Sequence, residues 1–376
     1  MGKRDFLKLH FIKLLHIFPI RKKSIFCNQF NGRGYDENPR AIIEKLHDKQ
    51  KYKIYWVLSK ANANTKLPDG ITPVVIGTLK YYYTIATSKI WISNVRLQEY
   101  YTKRKKQFYI QTWHGDLGIK KIEYDVYDML SPDYQRCMAW DNTLIDLFIS
   151  GSKFFTNLIR KSFRYEGEVL QCGAPKNDPI VNNDHEKEKA KLKKNLKIKE
   201  ENLLLYMPTF RVDYSHDPYN INLDKVKDAL ERKTHTTWKV LCKMHPNVEA
   251  KYKTINCTDY ISLDDYNNTQ QAIVACDILI SDYSSVVFDA LIADRIVYIY
   301  ANDEEIYTKN ERGLYFKISE LPFKSFKTTA EMINHIKKNG LKDAKEKYAS
   351  FVKEQQPSLT GKASETVAAI IAEKCA

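Results

Sequence analysis

The stretch ILISDYSSVVFDALIADRIVYIY, residues 278–300, decides the fold. Ile278–Ile280 is a short apolar run of the kind that forms a buried strand. Val286–Ala293 carries apolar residues at helical spacing, with Asp289 and Asp294 interrupting it. Ile296–Tyr300 is β-branched and aromatic, which suits a second strand. Strand, tight turn, short helix, strand is the repeating unit of a parallel α/β sheet, and such sheets bind ligands where turns leave the strands' carboxyl ends. Ser284 and Ser285 fall at the start of the short helix. Unpaired N–H groups there attract anions, so the serines read either as plain N-caps or as phosphate contacts.

The same alternation runs outward in both directions. KSIFCNQF and KIYWVLS read as strands around a helical NPRAIIEKLHDKQ, with Pro39 in its first turn. KIWISN, QFYIQTW, DLFISG and GEVLQCGAP continue the first series. HEKEKAKLKKNLKIKEEN is so charged that it reads as an exposed helix and connection. NLLLYMPTF, WKVLCKMHP, INCTDYIS, DILISDYSS and RIVYIY form a second series. The expectation is an α/β chain with two Rossmann-like domains facing across a cleft, a GT-B-like body. The boundaries read as 1–23 for a basic, apolar N-terminal segment, 24–182 for an acceptor domain, and 183–376 for a donor domain with C-terminal helices. No G-x-G-x-x-G turn points to a nicotinamide enzyme, and no solenoid repeat is visible.

Composition narrows the chemistry. A chain of 376 residues is long for one core, and 43% hydrophobic with 28% charged residues makes it globular. A net charge of +14 favours anionic partners. Its lysines are spread among glutamates rather than gathered in a stripe, and no RNP, zinc-finger or P-loop pattern occurs, so nucleic acid is not expected. The 7 cysteines include no C-x-x-C pair, which fits a reducing cytoplasm without a disulfide framework or zinc site. No stretch reaches the roughly 20 apolar residues that span a bilayer. Phe6–Phe18, flanked by Lys3, Arg4, Arg21, Lys22 and Lys23 and followed by no small-residue cleavage site, reads either as an interfacial helix on anionic lipid or as an ordinary packed helix.

Five polar turns end five expected strands. QTWHGDLG brings His114, a candidate general base, beside Gly115 and Gly118, which permit tight turns and close substrate approach. MHP places His245 and Pro246 after another strand. PTFR offers Thr209 and Arg211, arginine being a natural phosphate partner. CGAPKND contributes Gly173, Lys176 and Asp178, and also reads as a plain turn. SDYSS completes the group, which together suits a nucleotide-phosphate cleft.

The pieces NGRGYDENPRAI, QTWHG, ISGS, GAPKND, YMPTFR, MHP, SDYSSVVFD and DEEIYTKNERG, in this order over residues 31–313, resemble the CDP-glycerol glycerophosphotransferases, the teichoic acid primases and polymerases of bacteria. The resemblance implies a GT-B-like fold, a cytoplasmic enzyme peripheral to the inner face of the membrane, and transfer of glycerol phosphate from CDP-glycerol, with release of CMP, in teichoic acid or capsule synthesis. It implies His114 as base and His245, Ser284 and Ser285 as holders of the donor's phosphates. The wider substrate-binding set is Gly115, Gly173, Thr209, Arg211, His245, Asp282, Ser284, Ser285, Asp289 and Arg312. Asp116-Leu117 stands where many members have Thr-Pro, and LPFKSF where a Pro-Gly-Pro is usual, which leaves the acceptor and the polyol open. No permanently bound cofactor and no metal held by protein ligands alone is expected; a divalent cation on the donor pyrophosphate is left open. The rival readings are a nucleotide-sugar glycosyltransferase and a non-catalytic membrane-associated binding protein.

Overall fold

The computed structural model describes residues 2–182, 184–211, 218–245, 248, 255–266, 268–310, 313–341 and 345–376. Its described strands form two sheets. The first contains β1 (Arg21–Asn28), β2 (Lys53–Leu58), β3 (Ile71–Val75), β4 (Ser88–Ser93), β5 (Phe108–Gln111), β6 (Leu147–Ser150) and β7 (Glu168–Gln171), in the order β3-β2-β1-β4-β5-β6-β7. The second contains β8 (Asn202–Tyr206), β9 (Trp238–Cys242), β10 (Tyr260–Ser262), β11 (Ile278–Ser281), β12 (Ile296–Tyr300) and β13 (Lys324–Phe326), in the order β10-β9-β8-β11-β12-β13. Every neighbouring pair is parallel. Both orders are doubly wound, reversing direction between β1 and β4 and between β8 and β11, so both sheets are Rossmann-like, as in GT-B-like chains.

Burial explains why these runs are strands. All four residues of β11 and of β6 are buried, as a parallel sheet covered on both faces requires. The opening stretch folds as read: β11, a turn, a helix at Val286–Ile292, then β12, with Ile278 to Ser281 registered against Ile296 to Ile299. The ladder of β5 stops at Gln111, two residues before the sequence reading ends it. Trp113 takes a left-handed φ of 51°, and its N–H is taken by the Gln111 side chain at 2.9 Å. The glycine thought to free this loop is not strained: a Cβ on Gly118 would meet nothing within 4 Å.

Three expectations change. The charged segment after residue 184 is not merely an exposed connection. It forms the helix His185–Leu196, in which Leu192 is fully buried, Lys189 pairs with Asp277 at 2.8 Å, and Glu188 accepts from Gln271 at 2.6 Å. The N-terminal segment does not stop at residue 23. Its helix is Lys3–Leu15, and β1 has begun by Arg21. The C-terminal residues do not stay with the second sheet. The chain divides into one unit of residues 1–116, 122–178 and 356–376 and another of 117–121 and 179–355. Helix Ala363–Cys375 returns to the first sheet, where Val367, Ile371 and Cys375 join the core of Ile25, Trp56 and Ile92. Asp178 receives the N–H groups of Ala363 and Ser364 at 3.0 and 2.6 Å, so a carboxylate satisfies the helix's orphan donors.

Ile371 has no exposed surface. Ile371→Ala should therefore cost ~2–5 kcal/mol, the usual range for truncating a buried large aliphatic side chain. The check is the urea midpoint of the first unit's unfolding; an unmoved midpoint would mean the helix is not part of that core.

Candidate functional site

The carboxyl edge of the first sheet is built around Asn38. Its side-chain amide donates to the carbonyls of Thr112 and Trp113 at 3.2 and 2.9 Å, and its oxygen accepts from the Lys176 N–H at 2.9 Å. One side chain thus binds the QTWHG loop after β5 to the GAPKN turn after β7. Lys176 is buried, with Nζ 3.4 Å from the His114 carbonyl and 3.7 Å from the Glu37 carboxylate. A small pocket here is lined by Asn38, Thr112, Gly115, Asp116, Gly151 and Lys176, among others. Asp116 accepts from the Gly151 N–H at 2.6 Å, and a Cβ at Gly151 would lie 2.5 Å from the Asp116 carboxyl carbon, so a side chain there would displace that carboxylate. The last serine of that piece, Ser152, caps helix Lys153–Lys161 through the Phe155 N–H.

A hydrogen bond from the His114 ring sets its chemistry. Its Nδ1 lies 2.7 Å from the Asn94 carbonyl oxygen. A carbonyl only accepts, so Nδ1 carries the hydrogen and the neutral ring keeps its lone pair on Nε2. Trp113 stacks on the ring at 4.3 Å and Phe30 packs at 5.1 Å. The Asn94 oxygen Oδ1 accepts from the Phe30 N–H at 2.9 Å, while its buried Nδ2 has no hydrogen-bond partner among the described residues.

Gly173 lies against this chain's own backbone. Gly173 has a φ of 109°, and a Cβ there would stand 2.7 Å from the Ser358 carbonyl oxygen, so the close approach is to backbone of this chain. Burial, then Asp178, pushes the Cys172 thiol up to about 12, which removes it as a nucleophile.

The second edge gathers the other motif residues. β9, β8, β11 and β12 are consecutive neighbours, so His245, Thr209-Arg211, Asp282–Ser285 and Asp303 all leave the same side of the sheet. His245 is exposed, with its ring 5.9 Å from Phe210. Ser284 and Ser285 are half-buried, and neither is an ordinary cap. Ser285 sits in helical geometry with no side-chain cap bond, and Ser284 makes only a long 3.4 Å contact with the Val286 N–H. Asp289 is buried on the same helix. Arg312 lies outside the described residues.

Arg211 and Asp282, both in the substrate-binding set expected from the sequence, are bound to each other and to other groups of this chain. Arg211 is 2% exposed and engaged by protein: Nε and Nη2 donate to Asp303 at 2.7 and 3.1 Å, Nη2 to Asp282 at 2.9 Å, and Nη1 to the Thr209 carbonyl at 2.7 Å. Burial opposes the charged guanidinium, but Asp282 and Asp303 outweigh it and hold the group above its ordinary value. Asp282 is in turn saturated by Arg211 and the N–H groups of Thr209 and Tyr283. Two carboxylates face one guanidinium, so this cluster brings no net positive charge to a donor. Sequence reasoning missed Asn38, Asn94 and Asp303. Asn38 and Asp303 stand in quoted motif pieces, and Asn94 ends a recognised strand run; each acts through neighbours far along the chain. Among the described residues, no group of three or more His, Cys, Asp or Glu is placed to hold a metal.

Comparison with known proteins agrees with the site's motifs. Residues 10–373 match the family model of CDP-glycerol:poly(glycerophosphate) glycerophosphotransferase. The chain is 29% identical over 355 residues to the teichoic acid poly(glycerol phosphate) polymerase of Bacillus spizizenii, covering 90% of this chain and 89% of that protein. It is 29% identical over 338 residues to the protein of the same name from Bacillus subtilis, but spans only 45% of its length. A variant of the wall teichoic acid polymerase TagF, soaked with CDPG, superposes with a TM-score of 0.82 at 25% identity, covering 98% of this chain and 93% of that one.

Asn38→Ala would strand two carbonyls and an N–H at the first edge. Each buried polar group left unpaired costs ~1–3 kcal/mol, so the variant should unfold at clearly lower urea than the parent. A midpoint unchanged within error would show that the QTWHG loop is held by other contacts.

Proposed function

We infer the reaction from a fixed premise: the chain belongs to the CDP-glycerol:poly(glycerophosphate) glycerophosphotransferase family. It is a transferase of glycerol phosphate from CDP-glycerol in teichoic acid biosynthesis. In our reading an acceptor hydroxyl gives its proton to His114 Nε2 as its oxygen attacks the β-phosphorus. The new P–O bond forms as the bond to the bridging oxygen breaks, and CMP leaves with that oxygen. The observation that carries this role is the Nδ1 bond to the Asn94 carbonyl, which leaves Nε2 basic. Such displacement is chiefly positioning and charge stabilisation. The acceptor is the growing glycerol phosphate polymer or a lipid-linked primer.

The donor's phosphates fall to Ser284, Ser285, Thr209 and His245 at the second edge. Arg211 is neutralised by carboxylates, so we propose that a divalent cation travels with the donor, held by its phosphates rather than by a protein cluster. A chelator should suppress CMP release and added magnesium restore it. Activity untouched by chelator would leave charge stabilisation to protein groups alone.

Membrane contact rests on the helix Lys3–Leu15. Among the described residues no helix is long and apolar enough to cross a membrane. This one is apolar on two sides. Leu9, Ile12 and Leu15 are buried inward, and Phe11 and Phe18 edge onto Tyr82 and Tyr83 at 5.6 and 5.4 Å. Outward, Phe6, Leu7 and Leu14, with Ile17 just past the helix, are exposed beside Lys3, Arg4 and Lys13. That face supports docking on an anionic leaflet, where lipid-linked acceptors lie.

Three experiments test this reading. Incubation with CDP-glycerol, other CDP-polyols and nucleotide sugars should release CMP from CDP-glycerol and form a phosphodiester; glycoside with a nucleoside diphosphate would overturn it. His114→Ala should lower turnover ~10²–10⁴-fold while CDP-glycerol still binds, and near-normal turnover would place the base elsewhere. For the membrane, the triple change Leu7→Glu, Leu14→Glu and Ile17→Glu alters only exposed positions. It should leave the protein in the supernatant when anionic vesicles are sedimented, and salt should partly release the parent. Equal sedimentation of both would remove the membrane role.

A further inference from the structure

Among the described residues, Asp303 is the acidic residue that joins three turns of the second edge. It follows β12 and begins the turn into helix Glu304–Asn310, where its carbonyl receives the Tyr307 N–H at 2.8 Å. Its two oxygens clasp Arg211 as a fork, Oδ2 on Nε at 2.7 Å and Oδ1 on Nη2 at 3.1 Å. Oδ1 also accepts from the Tyr283 hydroxyl at 2.9 Å. Tyr283 and Tyr307 stack at 3.9 Å, and the guanidinium carbon lies 4.9 and 4.7 Å from their ring centres. Arg211 then passes the constraint on, to Asp282 through Nη2 and to the Thr209 carbonyl through Nη1.

The effect converges on Thr209. Its N–H is bound by Asp282 at 2.9 Å, and its carbonyl by Arg211 at 2.7 Å and the Tyr219 hydroxyl at 3.0 Å. The residue is 5% exposed, yet its Oγ1 has no hydrogen-bond partner among the described residues. Native proteins rarely leave a buried hydroxyl unpaired where no ligand uses it. It lies where the second sheet reverses its winding, between β8 and β11.

We propose that Asp303 is a positioning residue of the donor edge: by clasping Arg211 it fixes Asp282 and the turn after β8, so that the Thr209 hydroxyl is presented to a donor phosphate oxygen. The proposal deepens, and rests on, the CDP-glycerol reading above. Asp303 touches no substrate, so its loss misplaces a contact rather than removing one. A positioning role of this kind is felt in donor binding and not in the acceptor step.

The test uses the full chain and steady-state kinetics with CDP-glycerol. Asp303→Asn keeps the volume but loses the charged fork. It should raise the donor KM by about tenfold or more and leave the acceptor KM unchanged. Thr209→Val keeps the shape and deletes the hydroxyl, and should raise the donor KM by a like factor. Because both act through one contact, the double variant should be little worse than either alone. Tyr283→Phe removes only the hydroxyl bound to Asp303 and should shift the donor KM the same way by less; it decides the matter if Asp303→Asn does not fold. An unchanged donor KM in the folded variant, or losses that simply multiply in the double variant, would overturn the proposal. A wild-type protein that leaves CDP-glycerol untouched would instead sink the functional reading, and this inference with it.

Discussion

Strands that all run the same way impose the arrangement of everything else in this chain. A parallel sheet must return each strand through a crossover, so every turn leaving a carboxyl end falls on one edge. The strand interiors then need apolar residues on both faces, which β6 and β11 supply up to their closing serines, Ser150 and Ser281. Polar residues that would be costly in the layers collect instead at the exits. His114, Asn94 and Lys176 follow strands of the first sheet, and Thr209, His245, Ser284 and Asp303 follow strands of the second. Loops far apart in sequence become neighbours without any of them needing regular structure of its own.

Charge in these units serves positioning as well as binding. Among the described residues, the buried arginines Arg96 and Arg211 at strand exits are each matched by a pair of acids. Arg96 meets Glu123 and Asp141 at 2.6 and 3.1 Å, and Arg211 meets Asp282 and Asp303. A guanidinium removed from water is tolerated only with such partners, and once matched it is a rigid fork rather than a ligand for phosphate. The surplus of +14 is therefore a surface property, and it suits anionic surroundings more than it describes the donor turn.

Much of this was legible in the sequence, and the failures have physical causes. Runs such as Ile278–Ile280 and IVYIY announced their strands because burial on both faces favours β-branched and aromatic residues at successive positions. ITPVV and KSF were passed over; the first carries Pro73 and the second is short and polar, and both lie at sheet edges, where one neighbour suffices. The return of helix Ala363–Cys375 to the first sheet depends on packing against residues more than 180 positions away, as its bonds to Asp178 show. No local pattern encodes that. Arg211 was read by its chemistry as a phosphate partner, but its acids lie 71 and 92 positions away and reach it only through the strand order. The histidine was found by its place beside Gly115, whereas its tautomer, set by the Asn94 carbonyl, could only be read from the fold.

The central claim is that His114 removes a proton and that transfer is one direct displacement at the β-phosphorus. Stereochemistry tests it most directly. CDP-glycerol made chiral at that phosphorus with oxygen isotopes, converted by the wild-type enzyme, should give a phosphodiester of inverted configuration. Retention would require two displacements through a covalent phosphoryl-enzyme, and would make a protein side chain a nucleophile instead of a base.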